Sequence, residues 1–335
     1  MGKELDRNIG IPKGAVMDFI TKWGTLLTIA VLFIAFSVTM PTFFSAPNII
    51  TIVRAVCIVT IIAIGMTISL TVSGMDLSVG STATFANTVV MTFFVWFQLG
   101  STPWGMALSI VMTIIICLAV ALINSLLIVK LKIPDMLATL STMFMFEGVA
   151  MTYAGGGAIN ENMRRPDGST ALGKVPQLFR TIGREPWIIV VMLVLVLLVF
   201  VFLTYTKHGR YMYAVGGNPE AAKLSGINVK KYRTLAYVMS TILASIGGMM
   251  IGARVGNAQI NSGSSYLMGA VAAAHIGMSV AGIGRPNALG TLAGAILIGV
   301  LENGLIMASV PYYAVNIFKG AVLAIALALN YARKK

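Results

Sequence analysis

"WIIVVMLVLVLLVFVFL", residues 187 to 203, is apolar at every position. Strands of a closed membrane barrel alternate apolar and polar residues about every second position, so this run does not fit that architecture. An α-helix satisfies its own backbone and needs about 20 such residues to cross a bilayer. The stretch therefore reads as a spanning helix, and its bulk on every side suits lipid contact.

The rest of the chain has the same character. Hydrophobic residues make up 57% of it and charged residues 10%, against about a quarter charged in a soluble domain. Apolar segments recur near 23–41, 49–72, 77–99, 104–129, 136–154, 187–205, 234–253, 265–281, 288–308 and 313–331. The expected fold class is an all-α integral membrane protein of about ten transmembrane helices, with residues 1–335 forming one polytopic domain. The first 22 residues are polar and no small-residue cleavage site follows the first apolar run, so that run reads as a retained span. Cys57 and Cys117 fall inside apolar segments and read as packing residues.

A net charge of +13 could suggest nucleic acid. The basic residues instead sit between spans, as the positive-inside rule requires. Lys3, Arg7, Lys13, Lys22, Lys130, Lys132, Lys207, Arg210, Lys223, Lys230, Lys231, Arg233, Arg285, Arg333, Lys334 and Lys335, sixteen of 24, fall on one side if the chain crosses ten times. That side is assigned to the cytoplasm, together with both termini. Residues 155–186 then form an external loop opening with "GGGAINENMRRPDGS", and residues 206–233 form a cytoplasmic one.

Enzymatic motifs do not survive inspection. "GSTALGKV" (168–175) matches a phosphate loop up to Val175, where a magnesium-binding hydroxyl is needed, and no strand precedes it. His208 and His275 lack Cys or acidic neighbours at ligand spacing, so no metal site is expected. No catalytic set and no cofactor motif can be assembled. Gly248, Gly252 and Gly256 recur every fourth residue, a spacing that lets a neighbouring backbone approach.

Two motifs are more informative. In the cytoplasmic loop, "GGNPEAAKLSG" places Asn218 as N-cap, Pro219 at the first helical position, Glu220 in the first turn and Gly226 at the stop, with Ala221, Ala222, Lys223 and Ser225 between. Two turns are marginal in isolation, so this helix is either an ordinary capped loop or one held by a partner surface. "TVSGMDLSVGSTA" (71–83) sets Asp76 between two apolar stretches. A carboxylate facing lipid costs about 2.5–3.5 kcal/mol. Gly74 is expected to take the left-handed conformation that ends one helix, with Asp76 capping the next. Ser78, Gly80 and Ser81 add small and hydroxylated positions that suit either a close helix crossing or a polar cavity.

At these residues the chain resembles a family. The spacing Glu220, Ala221, Ala222, Gly226 resembles the coupling-loop signature of ABC importer permeases. "SGMDLSVGS" (73–81), "LATLSTMFMFEGVAM" (137–151), "HGRYMYAVGGNPEAAKLSGINV" (208–229) and "NIFKGAVLAIALAL" (316–329) are similar to the ribose, galactose and xylose type permeases of bacterial ABC importers. The likeness runs from the first span to the C-terminus. Departures stand at Ser73 and Glu147, where that family usually has Gly and often Arg, and at Arg285, Pro286 and Asn287 in a run that is usually glycine-rich.

The resemblance implies a subunit of the bacterial inner membrane that is not itself an enzyme. It would pair with a second copy or a sister permease, take a monosaccharide or related polyol from an extracytoplasmic binding protein, and be driven by a separate ATPase subunit seated on residues 218–226. Lys230, Lys231 and Arg233 would frame that seat. Polar residues in or near spans that are candidates for the solute pathway are Asn87, Asn124, Glu147, Asn257, Gln259, Asn261, Ser264, His275 and Asn303, some of which would serve as hydrogen bonds between helices. Glu302 and Lys319 are expected to pair. The alternative reading is an ion-coupled secondary transporter using Asp76, Glu147 or Glu302 as its coupling carboxylate.

Overall fold

The computed structural model describes residues 13–165, 167–280 and 284–332. Lys3, Arg7, Arg333, Lys334 and Lys335 of the inner charge set lie outside the described residues. In chain order the helices are α1 (Lys13–Thr39), α2 (Ala46–Thr71), α3 (Val79–Val95), α4 (Pro103–Ser125), α5 (Asp135–Tyr153), α6 (Gln177–Ile182), α7 (Trp187–Tyr205), α8 (Lys207–Gly217), α9 (Pro219–Leu224), α10 (Val229–Val255), α11 (Leu267–Ser279), α12 (Ala288–Met307) and α13 (Tyr312–Ala332). The fold is all-helical among the described residues. Each apolar segment of the sequence falls on a helix. Five helices, α2, α4, α7, α10 and α12, are long and apolar enough to cross a membrane by length and composition.

The centre of the bundle is α2, packed against α10, α11 and α12, and α10 in turn carries α3 and α4. From Val56 to Ser69 every residue of α2 is buried. The outer helix α7 is as apolar as α2, yet only one stripe of it, Ile188, Met192, Val196, Val199 and Leu203, faces the bundle. Its other face, including Leu193, Leu197 and Leu198, is exposed as lipid contact requires. Two residues of the glycine series in α10 act as spacers, since a Cβ on Gly248 would strike the Ala83 carbonyl and one on Gly252 the Asn87 amide. The third does something else: Gly256 has φ +80° and ends α10 in the left-handed conformation.

The two long loops are more ordered than hydropathy indicates. The loop of residues 155–186 carries α6, and its Ile159 pairs with Ala258 in an isolated antiparallel bridge. The loop of residues 206–233 consists mostly of α8 and α9, and α10 begins at Val229 instead of 234. Lys230, Lys231 and Arg233 therefore belong to the first turns of α10. Arg233 is committed to an ion pair with Asp135.

Candidate functional site

The turn after α2 gathers polar groups from five helices. Ser73 N–H donates to Leu70 O and Gly74 N–H to Ser69 O, the paired bonds of a helix end closed by a left-handed residue. That residue is Ser73, with φ 56°, and not Gly74 as the sequence suggested. Gly74 is required for space: a Cβ there would press on the Tyr237 hydroxyl and the Asp135 carboxylate. Asp76 is 1% exposed. Its Oδ1 accepts from Ser78 N–H at 3.0 Å and Ser78 Oγ at 2.5 Å, and its Oδ2 accepts from Ser240 Oγ of α10 at 2.7 Å. The carboxylate thus sits just ahead of α3 and also ties that helix to α10, which a simple cap would not do.

The network continues outward from Ser78. Asn124 Nδ2 of α4 donates to Ser78 Oγ at 2.9 Å, and Thr142 of α5 donates to Asn124 Oδ1 at 2.6 Å. Thr139 donates to Met75 O at 3.0 Å. Asn124 is therefore a structural tie between three helices. Ser81 bonds back to Ser78 O at 3.0 Å, and Gly80 gives close passage to Ser264 and Leu267, whose atoms would lie 3.2 and 3.1 Å from a Cβ. Thr139, Thr142 and Ser240 were not singled out from sequence. Thr139 and Thr142 share one face of α5 at the i, i+3 spacing, but nothing local marks Ser240 as their partner.

On the same turn rests the α8–α9 unit. Thr206 caps α8 by accepting from Gly209 N–H at 3.1 Å. A Cβ on Gly216 would collide with the Thr71 carbonyl, and Ser73 Oγ donates to Gly216 O at 2.7 Å. Tyr213 donates to Pro286 O at 2.5 Å, and the Arg285 guanidinium lies 4.8 Å over its ring. Asn287 caps α12 through Gly290 N–H. The three residues that depart from a glycine-rich run thus anchor α8 and start α12. In α9, Asn218 Oδ1 accepts from Ala221 N–H at 3.0 Å and Gly226 has φ +78°. Ala222 is buried, whereas Pro219, Glu220, Ala221, Lys223 and Ser225 are exposed and Leu224 is 89% exposed.

The other pathway candidates fall in three places. Along α3, Asn87 Nδ2 reaches Ser262 Oγ at 3.2 Å and Asn257 O at 3.4 Å, while the Oδ1 atoms of Asn87 and Asn257 are buried without a hydrogen-bond partner. Gly263 N–H donates to Thr84 Oγ1 at 3.0 Å, and Ser264 Oγ donates to Glu147 Oε1 at 2.8 Å. Gln259 and Asn261 are exposed on the same loop, with Asn261 left-handed at φ 57°. His275 stands apart on α11, its Nδ1 at 2.9 Å from Val271 O. Asn303 exchanges amide hydrogen bonds of 3.0 and 2.9 Å with Asn48, joining α12 to the start of α2. Glu302 and Lys319 pair at 2.9 Å.

Comparison with known proteins places this architecture. The family model described as "Branched-chain amino acid transport system / permease component" matches residues 48–327. The ribose import permease of Haemophilus influenzae is 31% identical over 323 residues, 95% of each chain. That of Bacillus subtilis is 34% identical over 319 residues, 94% of this chain and 93% of its own. The galactose/methyl galactoside import permease of Escherichia coli K12 is 31% identical over 340 residues, 96% of this chain and 98% of its own. No solved structure matches the chain significantly. With its apolar helices and these relatives, the chain is a multi-pass inner-membrane transport component, and it belongs to the branched-chain amino acid transport system permease family.

Proposed function

We propose that the chain is the membrane-spanning subunit of an ABC importer for a monosaccharide or related polyol. In this reading ten helices, α1 to α5, α7 and α10 to α13, cross the membrane with both termini inside. Two permease chains enclose one passage, an extracytoplasmic binding protein delivers the sugar, and a separate ATPase subunit drives the cycle. The observation that carries the proposal is the near full-length likeness to ribose and galactose import permeases at about 30% identity. The exposed face of α9, with Ala221 and Leu224, supports an ATPase docked there. Gly216 and Ser73 supply a stiff route from that face to the turn at Asp76.

An ion-coupled transporter would have Glu147 alone to use, since the other two candidate carboxylates are committed. Asp76 already accepts three hydrogen bonds, and Glu302 is held by Lys319.

The test is purification of the tagged chain from its own host with whatever ATPase accompanies it. Ala221→Glu, at an exposed position, should abolish recovery of the nucleotide-binding subunit while leaving expression and melting temperature unchanged. Ala222 is unsuitable, because it is 4% exposed and a bulky acid there would dislodge the helix itself. Undiminished recovery with Ala221→Glu would remove α9 from the coupling role.

A further inference from the structure

The carboxylates of the bundle are not equally satisfied. Asp135 pairs with Arg233, Glu185 with Arg54 and Glu302 with Lys319. Asp76 has three donors. Glu147 differs from all of them: it faces no cation within ion-pair distance among the described residues, and its single hydrogen bond comes from Ser264 Oγ to Oε1. An ionised carboxylate has about four acceptor sites, so most of its capacity is unfilled.

Its position adds to this. Glu147 lies on α5 six residues before the helix ends at Tyr153, roughly 9 Å at 1.5 Å per residue. It is partly exposed, and an added Cβ on the adjacent Gly148 would meet nothing within 4 Å. One turn further along α5, Ala150 and Met151 line a narrow cleft shared with Thr84, Thr88 and Gln259. Moreover, α5 equals α7 in length at 19 residues, yet of the two only α7 is apolar enough to cross a membrane by composition. A half-bonded carboxylate is strongly disfavoured against hydrocarbon, so this face of α5 borders water or cargo.

We infer that Glu147 is a solute contact in the passage, accepting hydrogen bonds from hydroxyls of a neutral polyhydroxylated substrate and repelling anionic ones. The inference rests on the importer reading for its direction of travel. The chemistry follows from the carboxylate: its two oxygens can take hydrogens from neighbouring hydroxyls in a charge-assisted, two-pronged contact. A sugar acid or sugar phosphate would bring like charge to the same place.

The experiment uses the full chain in cells with its partners. Glu147→Cys should react with a membrane-impermeant cationic thiosulfonate added outside, whereas Met145→Cys, exposed on the opposite face of the same helix, should not. Ribose, galactose or xylose should slow the reaction at position 147, and galacturonate should compete with sugar uptake more strongly in Glu147→Gln than in the parent, whose carboxylate repels it. Glu147→Gln, which keeps the shape and one acceptor, should lower uptake of the protecting sugar about tenfold. If that variant fails to accumulate, the labelling alone decides. Absence of labelling at 147, protection by none of the three sugars, equal competition by galacturonate in the parent and in a well-folded Glu147→Gln, or unchanged uptake by that variant would each overturn the inference. Failure of the importer assignment is separable, because it would appear as no ATPase in the purification while labelling and protection at 147 persist.

Discussion

Polar residues at the start of α3 and those packed two to three turns along it are bonded very differently. At the start, Asp76, Ser78, Asn124, Thr142 and Ser240 form a network in which both Asp76 oxygens, both functional atoms of the Asn124 amide and the Ser78 hydroxyl are engaged. Further along, Asn87 and Asn257 each bury an unpartnered amide oxygen, and Glu147 holds one hydrogen bond. A fully satisfied network fixes one arrangement of its helices, whereas a partly satisfied one keeps acceptors available. The turn at Asp76 is thus built as a joint, and the region around Asn87 and Glu147 as a surface that can take another molecule's donors.

The largest effect should come from breaking the joint. Asp76→Ala strands the Ser78 N–H, the Ser78 hydroxyl and the Ser240 hydroxyl at once, at roughly 3 kcal/mol or more in sum. Asp76→Asn retains an acceptor for Ser78 and can turn its amide to Ser240 Oγ, so it should lose less than half as much. Thermal unfolding of detergent-purified variants reads the difference directly. Equal loss of sugar uptake in both variants, despite a stable Asn form, would mean that the negative charge itself takes part in transport.

A paired substitution sharpens the contrast with a smaller effect. Asn124→Leu removes the donor to Ser78 and the acceptor for Thr142, and should cost about 1–3 kcal/mol. Asn87→Leu, of similar size, removes only bonds of 3.2 and 3.4 Å and also a buried oxygen that had no partner. Its melting temperature should stay close to that of the parent. Comparable destabilisation by the two would erase the distinction between joint and surface.

Much of the architecture is legible in sequence because a membrane leaves the backbone few choices. An apolar run of sufficient length reads as a helix, and each run coincides with one, although among the described residues only five are long and apolar enough to cross a membrane. Environment is less legible. α2 and α7 are both apolar on every side, but one is enclosed by protein and the other has an exposed face, a difference set by tertiary neighbours. Backbone signs misled where two small residues adjoin: Ser73 takes the left-handed place because Gly74 is needed to clear Tyr237 and Asp135. The glycine series in α10 mixed two causes, close packing at Gly248 and Gly252 and helix termination at Gly256. Among the candidate polar residues, type alone did not separate a tie such as Asn303, paired with Asn48, from an under-bonded group such as Glu147. The missing information lay in partners more than a hundred residues away.

The smallest predicted effect lies in the loop of residues 155–186, where acid should loosen a contact that leaves the joint at Asp76 untouched. Glu161 Oε1 accepts from Val175 N–H and from Arg180 Nη2, each at 2.8 Å, and so fastens the loop to α6. Burial pushes the Glu161 carboxyl up, but the Val175 N–H and the Arg180 guanidinium outweigh it and hold the group below the usual carboxylate range. A depressed value in the folded state means that the contact contributes fully above the ordinary carboxylate value. The contribution fades as pH falls through the depressed one. Hydrogen exchange of peptides covering 158–176, corrected for intrinsic rates, should therefore rise modestly on acidification in the parent and rise less in Glu161→Gln, where Asp167, held below the usual carboxylate range by Ser169, still titrates. Peptides covering 71–79, where the acceptor is enclosed and bonded on both oxygens, should keep their protection over the same range. A parallel loss in both regions would show that acid opens the bundle as a whole and that the outer contact has no separate titration.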